Sequence, residues 1–454
     1  MSTISCCPIP SLYKENGPDY NGFCRIISPK PFQTREGGTI HSFLRWKLLI
    51  GLSLAVCLTG CGAGQPETSS SQEVREENQP TAPVVEVIEP QEETGPKLTQ
   101  NDINEALAQV LEGYSAVGVS VAAIEHGQPS ASGAWGWAEK GQREMTADTK
   151  VRIASISKVV VGLCALAMEE DGLVDLDAPL STYWGEGVRN PYSSGQPSAR
   201  TLMTHTSSLK DLEISRGLSK LTGMLSQSSA WRDMEPGNGG YWYYSNFGFC
   251  VLGTTLELAS NQLLDSYAQG RFFEPLGMEA SFCSGNFPEE ELATLYTPQG
   301  VGRSAASCAA QPVPDEIGKG ASFYPGGLTI SAREMAKLVC VLAGDGTYEG
   351  RQYLKPETVT DMEIPRFSVD PEEGTPFEQC LVLRRQENLL GQSQLYYHTG
   401  SSYGVYSLMS YNPNTGNGVV VITTGGPRQT DEYGLYALCA ELSKHLYQRM
   451  ENAV

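Results

Sequence analysis

The alternation of apolar and polar residues first predicts a helix and then a pair of strands. Apolar side chains recur at helical spacing over residues 103–111, and Thr99 stands where it can cap the first turn. Residues 117–124 and 130–138 have strand-like patterns, and a turn near Gly127 joins them. The folded part of the chain is therefore expected to start with a helix followed by a β-hairpin.

The next strongly apolar segment predicts a buried helix that begins at Ser155. Residues 156–167 are apolar on most helical faces, and Gly172 is a natural place for this helix to end. From residue 174 to residue 321 the pattern is mostly helical and is interrupted by Pro and Gly. We therefore expect a helical subdomain in the middle of the chain.

The last part of the chain returns to strand patterns. Residues 395–397, 406–409 and 419–424 are rich in β-branched and aromatic side chains, with a tight turn at 412–416, and a helix is expected over 433–450. Strands at both ends of a helical middle predict an α+β fold. It would consist of one antiparallel β-sheet flanked by helices, beside the helical subdomain.

The charge of the chain argues against one class of function. Its 454 residues carry a formal net charge of -20, and no stretch concentrates Lys and Arg. Nucleic-acid binding depends on such clusters because they neutralise phosphates. We expect no nucleic-acid partner.

The N-terminal segment, residues 1–61, contains a pattern typical of protein export. Arg45 and Lys47 precede an apolar run at 48–58, which is shorter than the roughly 20 residues that a membrane-spanning helix needs. The sequence Leu-Thr-Gly-Cys ending at Cys61 resembles the lipobox of bacterial lipoproteins, which implies a lipid on Cys61. An uncut signal anchor is the alternative. Either would hold the folded part at a membrane, outside the cytoplasm, at the cell surface or in the periplasm.

The stretch that follows, residues 62–97, is predicted to be a disordered acidic tether. It contains eight glutamates against one arginine and one lysine, and no aromatic residue. Such a segment cannot bury enough apolar area to offset its loss of chain entropy. The expected organisation is a signal segment at 1–61, a tether at 62–97 and a folded domain at 98–454.

The cysteines and histidines do not form a metal-binding pattern. The seven cysteines after Cys61 are odd in number, and several lie in apolar surroundings, so they are interpreted as small buried side chains. Cys283 with Cys308 is the one pair considered for a disulfide. The histidines are scattered without ligand spacing. We predict no metal and no cofactor.

Three polar clusters in apolar surroundings suggest an acyl-transfer site. The first is Ser155 with Lys158, which lie three positions apart at the start of the buried helix and so share one face. A serine hydroxyl needs a base in order to attack, and a lysine amine kept neutral by burial can supply one. The same spacing recurs at Ser207 and Lys210, but there it lies in a polar loop.

The second and third clusters can supply proton transfer and substrate contacts. Tyr244 is either a core aromatic residue or a proton shuttle for the leaving group, with the Asn246 amide orienting the lysine and the substrate carbonyl. His398 and Thr399 are expected to end a strand, where the backbone N–H of Ser401 can join an oxyanion hole. A histidine such as His398, taken by itself, is more often structural than catalytic.

A rival nucleophile is Ser402, because residues 400–404 match the pattern Gly-x-Ser-x-Gly and are followed by Asp431 and His445. That pattern requires a turn between a strand and a helix, whereas the residues after 404 predict another strand. The sequence therefore favours Ser155.

Several short motifs follow Ser155-x-x-Lys158 along the chain. They are Leu202-Met203-Thr204-His205-Thr206-Ser207, Tyr244-Ser245-Asn246-Phe247-Gly248, Glu274-Pro275-Leu276-Gly277-Met278, Pro325-Gly326-Gly327-Leu328 and His398-Thr399-Gly400. Together they resemble the serine β-lactamase and penicillin-binding protein superfamily, most of all the group of class C β-lactamases, DD-peptidases and related esterases. The resemblance covers residues 102–446.

That resemblance implies a β-lactamase/transpeptidase-like fold, a serine hydrolase domain at 98–454 and a role for each site residue. Ser155 would be the acylated nucleophile, Lys158 its activating partner, and Tyr244 the general base and acid. The substrate-binding residues would be Asn246, His398, Thr399 and Ser401, the last through its backbone N–H together with that of Ser155.

Two departures from the family pattern bear on the substrate. Many members carry lysine where His398 stands, and a neutral histidine suits the carboxylate of a β-lactam or a peptide less well than a fixed positive charge does, which disfavours efficient β-lactamase activity. Ser207-Ser208 replaces the usual Ser-Gly, which is expected to affect a loop. The sequence thus favours a D-amino-acid peptidase or an esterase acting on a small molecule or a peptidoglycan peptide. A β-lactamase, a β-lactam sensor without turnover and an inactive scaffold of the same fold are the alternatives.

Overall fold

The computed structural model describes residues 97–452 and places nine strands in one sheet. These strands are β1 Gly118–Glu125, β2 Gln128–Glu139, β3 Arg143–Glu144, β4 Phe367–Val369, β5 Phe377–Gln379, β6 Arg384–Leu389, β7 Gln392–Ser402, β8 Val405–Tyr411 and β9 Gly418–Thr424. Their order is β4-β5-β6-β7-β8-β9-β1-β2-β3, and each neighbouring pair is antiparallel. The N- and C-terminal parts of the domain thus complete one sheet, as the sequence predicts.

Helices surround this sheet and fill the middle of the chain. The α-helices of the described residues are α1 Gln100–Leu111, α2 Ser157–Glu170, α3 Ser181–Trp184, α4 Ala199–Met203, α5 Leu218–Leu225, α6 Asn246–Ser260, α7 Leu264–Ala268, α8 Ala305–Ala309, α9 Ala332–Ala343, α10 Pro356–Glu363 and α11 Ala437–Asn452. Short strand pairs join Val151–Arg152 to Thr329–Ile330, Leu295–Thr297 to Gly300–Arg303, and Thr347–Tyr348 to Arg351–Gln352. The fold is therefore α+β with a helical subdomain.

Both faces of the sheet are covered, which the alternation of side chains along β1 makes clear. Val119 and Val121 belong to the hydrophobic cluster that includes residues of α1 and α11. Ala122 and Ile124 belong to the cluster that contains residues of α2, α6 and α9. Because successive side chains of a strand point to opposite faces, one continuous apolar run contributes side chains to two hydrophobic cores, one on each face of the sheet.

The start of the domain is fixed by hydrogen bonds of the kind that the sequence predicts. The Thr99 hydroxyl accepts from the backbone N–H of Asp102 at 3.3 Å, and the Asp102 carboxylate accepts from the backbone N–H of Thr99 at 2.8 Å. This reciprocal pair satisfies donors that the first helical turn leaves free. The Glu125 carboxylate at the end of β1 accepts from the backbone N–H groups of Lys97 and Leu98, at 3.0 and 2.8 Å.

Two expectations about element boundaries were wrong, and several strands were not predicted. The strand that contains His398 continues to Ser402 rather than ending at the His-Thr-Gly motif. The last helix begins at Ala437 and not at residue 433, because the Asp431 carboxylate holds the backbone N–H of residues 433 and 435 in a turn, at 2.9 and 2.8 Å. Strands β4, β5 and β6 were not predicted. Their residues alternate polar and apolar side chains too irregularly to give a period-two pattern.

The predicted export signal, the lipidation site Cys61 and residues 62–96 of the predicted tether lie outside the described residues. Over residues 97–452, no helix combines the length and the apolar character needed to cross a membrane. The seven cysteines of this range are all buried free thiols, and Cys283 and Cys308 are among them. Their interpretation as small buried side chains is confirmed, and no disulfide joins Cys283 to Cys308.

Candidate active site

Ser155 lies in a tight turn that leads into α2. The turn is a 3-10 helix, Ala154–Ile156, and Ala154 has a φ of 55°. Alanine rarely adopts a positive φ, so the surrounding contacts must hold this conformation. The Ser407 hydroxyl donates to the carbonyl of Ile153 at 2.8 Å, and the Ser157 hydroxyl donates to the carbonyl of Ala154 at 2.6 Å. The backbone before the nucleophile candidate is thus fixed from two sides.

Lys158 is completely buried and touches three oxygen atoms. Its Nζ lies 3.1 Å from the Ser155 hydroxyl, 2.8 Å from the Asn246 side-chain oxygen and 2.7 Å from the carbonyl of Pro325. The amide and carbonyl oxygens can only accept hydrogen bonds. When Lys158 is deprotonated, its two N–H groups can satisfy these two acceptors. Its lone pair then faces the hydroxyl of Ser155, which is the geometry required to take up the serine proton.

The start of α6 positions both Tyr244 and Asn246. Ser245 caps this helix by accepting from the backbone N–H of Gly248 at 2.8 Å, and the Asp211 carboxylate accepts from the backbone N–H of Phe247 at 2.8 Å. Asn246 is therefore the first residue of a rigid helix. The Tyr244 ring centroid lies 4.9 Å from Lys158 Nζ. The structure thus brings Ser155, Lys158, Tyr244 and Asn246 together, as the sequence predicts.

His205 belongs to the same site, although no role was predicted for it. Its ring centroid lies 4.4 Å from that of Tyr244, and its Nδ1 accepts from the backbone N–H of Ser245 at 3.2 Å. Burial, and then the nearby charge of Lys158, lower the pKa of His205 well below its usual range. A neutral imidazole that accepts a hydrogen bond fits this arrangement. The sequence signal was its place in the Thr-His-Thr motif, which by itself does not say what the ring contacts.

Strand β7 passes directly against the Ser155 turn at Gly400. A Cβ atom on Gly400 would lie 2.5 Å from the carbonyl oxygen of Ile153 and 3.1 Å from the backbone nitrogen of Ser155. Only glycine allows so close an approach of the two backbones. Thr399 and Ser401 flank this contact, Thr399 partly buried and Ser401 exposed. The N–H groups of Ser155 and Ser401 therefore belong to segments that meet.

His398 is buried on β7 and is uncharged at neutral pH. Its Nδ1 lies 2.7 Å from the carbonyl oxygen of Thr399, so this nitrogen carries the hydrogen. Burial, followed by the charges of Arg384 and Lys158, lowers the pKa of His398 well below its usual range. The positive charge that many family members place at this position is thus absent. Arg384, on the neighbouring strand β6, lies with its guanidinium carbon 4.5 Å from the ring centroid of Phe377.

The rival nucleophile Ser402 lies in the wrong structural context. It pairs with Val405 at the end of the hairpin that joins β7 to the antiparallel strand β8, and no helix follows. The Asp431 carboxylate accepts from backbone N–H groups of its own turn, and His445 Nε2 lies 3.4 Å from the Glu441 carboxylate. These two side chains are thus occupied elsewhere, and the elbow interpretation is wrong.

Ser208, which replaces the usual glycine, lies in a loop and adopts a φ of 62°. Glycine reaches this region without a steric cost, which explains why it is usual there. The backbone carbonyl of Ser208 accepts from the N–H of Arg232 at 2.8 Å. The replacement of glycine by Ser208 is therefore expected to affect this loop through the positive φ that the position requires.

One group of carboxylates in the described residues could in principle hold a cation. Oxygen atoms of Glu169, Asp175 and Asp177 lie within 4.8 Å of one another. The guanidinium of Arg200, however, lies 3.2 Å from Glu169 and 2.9 Å from Asp177. Glu169 and Asp177 are therefore explained by their ion pairs with the arginine, and Asp175 Oδ1 accepts from the backbone N–H groups of Asp177 and Ala178, at 2.9 and 3.2 Å.

The residues of this site lie within the part of the chain that matches a known family. The family model described as Beta-lactamase matches residues 103–441, which include every residue of the candidate site. The chain belongs to the beta-lactamase family. Its fold is β-lactamase/transpeptidase-like.

Three known proteins illustrate the range of relatives of this beta-lactamase family member. Esterase EstB of Burkholderia gladioli is 28% identical over 245 residues, which cover 48% of this chain and 60% of EstB. The D-alanyl-D-alanine-carboxypeptidase/endopeptidase AmpH of Escherichia coli is 25% identical over 194 residues, which cover 41% of this chain and 50% of AmpH. The match thus spans about half to three fifths of these relatives' length.

The third is a solved structure, that of the D-amino acid amidase from Ochrobactrum anthropi SV3 complexed with D-phenylalanine. It superposes with a TM-score of 0.60 at 23% identity, over 78% of this chain and 99% of the amidase. This likeness concerns the fold of the two proteins.

Proposed function

We propose that this protein is a serine hydrolase that works through an acyl-enzyme, as a D-amino-acid peptidase or an esterase, and is tethered to a membrane outside the cytoplasm. The observation that carries the proposal is the set of three contacts made by Lys158 Nζ, to Ser155, Asn246 and the Pro325 carbonyl. This arrangement supports a hydroxyl with an adjacent base that is itself held in place.

In acylation, the Ser155 oxygen attacks the substrate carbonyl carbon while its proton passes to Lys158. The carbonyl oxygen becomes an oxyanion, which the N–H groups of Ser155 and Ser401 would stabilise. The tetrahedral intermediate collapses by breaking the bond to the leaving group. Tyr244 would donate a proton to the leaving group and accept one from Lys158. The product of this half-reaction is an ester of Ser155.

In deacylation, a water molecule replaces the leaving group. Tyr244 and Lys158 would remove a proton from the water as it attacks the ester carbonyl. The second tetrahedral intermediate then collapses by breaking its bond to the Ser155 oxygen, which takes the proton back from Tyr244 and Lys158, and the acid product is released. Asn246 would hold Lys158 throughout and offer its N–H₂ group to the substrate.

The neutral state of His398 favours a peptidase or an esterase over an efficient β-lactamase. A neutral imidazole contributes no net charge to a β-lactam carboxylate, and Arg384 is the cation that most lowers the pKa of His398. A substrate carboxylate along β7, beside Thr399, would therefore be attracted by Arg384 rather than by residue 398.

The proposal is tested by exposing the purified protein to a chromogenic short-chain ester, a D-alanyl-D-alanine peptide and a fluorescent penicillin. Turnover of the ester or the peptide is the expected result. Stable labelling by penicillin without any turnover would instead identify a sensor. No reaction with all three compounds would contradict the hydrolase proposal and favour an inactive scaffold.

Membrane tethering through Cys61 is a separate part of the proposal. Expressed with its N-terminal segment in a bacterium, the protein should partition into the detergent phase of an extract, and Cys61→Ser should move it to the aqueous phase. Unchanged partitioning of the Cys61→Ser variant would contradict a lipid anchor at this residue.

A further inference from the structure

Two arginines contact one tyrosine ring next to the Ser155 turn. The guanidinium carbon of Arg152 lies 5.1 Å from the centroid of the Tyr403 ring, and that of Arg303 lies 5.5 Å from the same centroid. All three side chains are partly buried. Contacts between a guanidinium and an aromatic face are attractive, so both arginines are held against the Tyr403 ring.

The two guanidinium groups are balanced by neutral oxygens and not by carboxylates. Arg152 Nε donates to the carbonyl of Gly326 at 2.7 Å, and Arg303 Nη1 lies 3.0 Å from the Gln311 amide, in the orientation that lets its oxygen accept. Within the range that the structure describes, neither arginine forms an ion pair with Asp or Glu. In a chain with a net charge of -20, such a pair of cations is conspicuous.

Like charges held together out of water are unfavourable unless an anion joins them. Burial lowers the pKa of Arg152, and the charge of Arg303 lowers it further. An anion between the two guanidinium groups would remove this repulsion and fill their remaining N–H donors with charge-assisted hydrogen bonds. The planar donor fork of arginine matches a carboxylate especially well.

The arginines belong to the oxyanion side of the candidate site. Arg152 precedes Ser155 by three residues, and Tyr403 follows Ser401 by two residues in the hairpin between β7 and β8. The strand Gly300–Arg303 brings Arg303 to this hairpin, since a Cβ atom on Gly302 would lie 2.8 Å from the carbonyl oxygen of Tyr403. Tyr244, the expected proton donor for the leaving group, instead belongs to the α6 side.

We propose that Arg152 and Arg303 bind a carboxylate on the acyl portion of the substrate, a few bonds away from the reacting carbonyl. The inference rests on the proposed hydrolase function and narrows its substrate class to acyl donors that carry a second, negatively charged group. Arg303 is the arginine to replace in a test of carboxylate binding. Arg152 also supports the loop that carries Pro325 through its bond to Gly326, so its replacement would disturb the site.

Two esters with acyl chains of equal length test this inference, mono-4-nitrophenyl glutarate and 4-nitrophenyl valerate. The wild-type protein should show a higher kcat/KM for the glutarate, and this advantage should shrink as ionic strength rises. Arg303→Gln should lower the ratio of the two kcat/KM values about ten-fold. Arg351→Gln is the matched control, because Arg351 also lies on a tyrosine ring, 5.2 Å from the centroid of Tyr353, at an exposed position elsewhere. This variant should keep the wild-type ratio.

The same comparison can be made without turnover. In a Ser155→Ala background, isothermal titration should show tighter binding of the glutarate ester than of the valerate ester, and Arg303→Gln should abolish the difference. An unchanged ratio and unchanged binding in Arg303→Gln would overturn the inference. So would a preference that is lost in Arg384→Gln instead. Absence of turnover together with retained selective binding would contradict the hydrolase proposal alone.

Discussion

At the scale of single residues, the site depends on which partners of Lys158 can only accept hydrogen bonds and which one can also donate. Two of its three oxygen partners, the Asn246 amide and the Pro325 carbonyl, can only accept hydrogen bonds. They fix the rotation of the amine, so its third position must meet the hydroxyl of Ser155. A side chain of similar length without the nitrogen would fill the space and lose this function.

Lys158→Met is therefore expected to lower the rate of Ser155 acylation by about 10²–10⁴-fold, the usual contribution of a positioned base. The KM should change much less, because Lys158 is not expected to touch the bound acyl group. The measurement is the single-turnover rate with a chromogenic ester. Lys337→Met is the control, since Lys337 Nζ also donates to backbone carbonyls, those of Leu276 and Gly277, both at 2.9 Å. Equal loss of rate in both variants would contradict a chemical role for Lys158.

The two buried histidines show what residue patterns alone leave open. His205 and His398 appear scattered in the sequence, 193 positions apart, yet burial and the charge of Lys158 lower the pKa of both. Their shared surroundings arise from the tertiary fold, which brings the loop before α5 and strand β7 to the same amine. No local spacing in the sequence predicts that His205 and His398 lie near the same lysine.

At the scale of elements, the site is the place where strand β7 meets the turn before α2. The contact is between backbones, and Gly400 is the residue that permits it. Its φ is not in the left-handed region, so the requirement here is for space and not for conformation. The geometry of the proposed oxyanion donors, the N–H groups of Ser155 and Ser401, thus depends on the absence of a side chain at Gly400.

Gly400→Ala should push β7 away from Ser155, because the added methyl group would meet the carbonyl of Ile153 and the nitrogen of Ser155. We expect kcat to fall at least about ten-fold and the free energy of unfolding to fall by about 1–3 kcal/mol, as for other overpacked sites. Steady-state kinetics and urea unfolding measure the two effects. The same change at Gly223, inside helix α5, where no atom lies within 4 Å of the new Cβ, should leave kcat unchanged and raise the free energy of unfolding by up to about 1 kcal/mol. Wild-type kcat in Gly400→Ala would contradict the close approach.

The elements that could be predicted from sequence are those with a clear period. The capped helix α1, the hairpin of β1 and β2 and the apolar helix α2 were expected close to where they lie, because apolar side chains mark their buried faces. Strand β6 was missed, since Arg384, Arg385 and Glu387 make it appear as a polar loop. Its residues are held by pairing with β7, which is a long-range contact that the local pattern does not contain.

The same distinction applies to the candidate site. Ser155 and Lys158 were predictable because they share one helical turn, and the motif order along the chain pointed to Tyr244 and Asn246. Arg384 and the proposed carboxylate ligand Arg303 were not, because each lies on a strand whose position only the assembled fold determines.

At the scale of the whole molecule, the protein couples its stability to pH through groups buried between layers. Glu363, the last residue of α10, accepts a hydrogen bond from the hydroxyl of Tyr411 on β8 at 2.6 Å. Burial raises the pKa of Glu363 to about 7. The folded protein therefore keeps a proton on this carboxyl over a range of pH in which the unfolded chain has already lost it.

This difference makes the free energy of unfolding fall as pH rises from about 4.5 to 7, because there the folded state binds more protons than the unfolded state. Glu363→Gln removes that contribution. Between about pH 4.5 and 7, the free energy of unfolding of the variant should rise relative to that of the wild type by up to about 1–3 kcal/mol. Solvent screening of the partly exposed carboxyl reduces this difference. Urea unfolding at several pH values measures the difference. Glu357→Gln, in the exposed first turn of the same helix, should show no such gain, and a gain of the same size there would contradict the assignment.

The whole account depends on which residue becomes acylated. Peptide mass spectrometry after brief exposure to an acyl donor, a fluorescent penicillin or a slowly hydrolysed ester, answers this directly. We expect one acyl group per chain, on the peptide that contains Ser155, and no adduct on a folded Ser155→Ala variant. An acyl group on Ser402, or an adduct that persists in Ser155→Ala, would contradict the account.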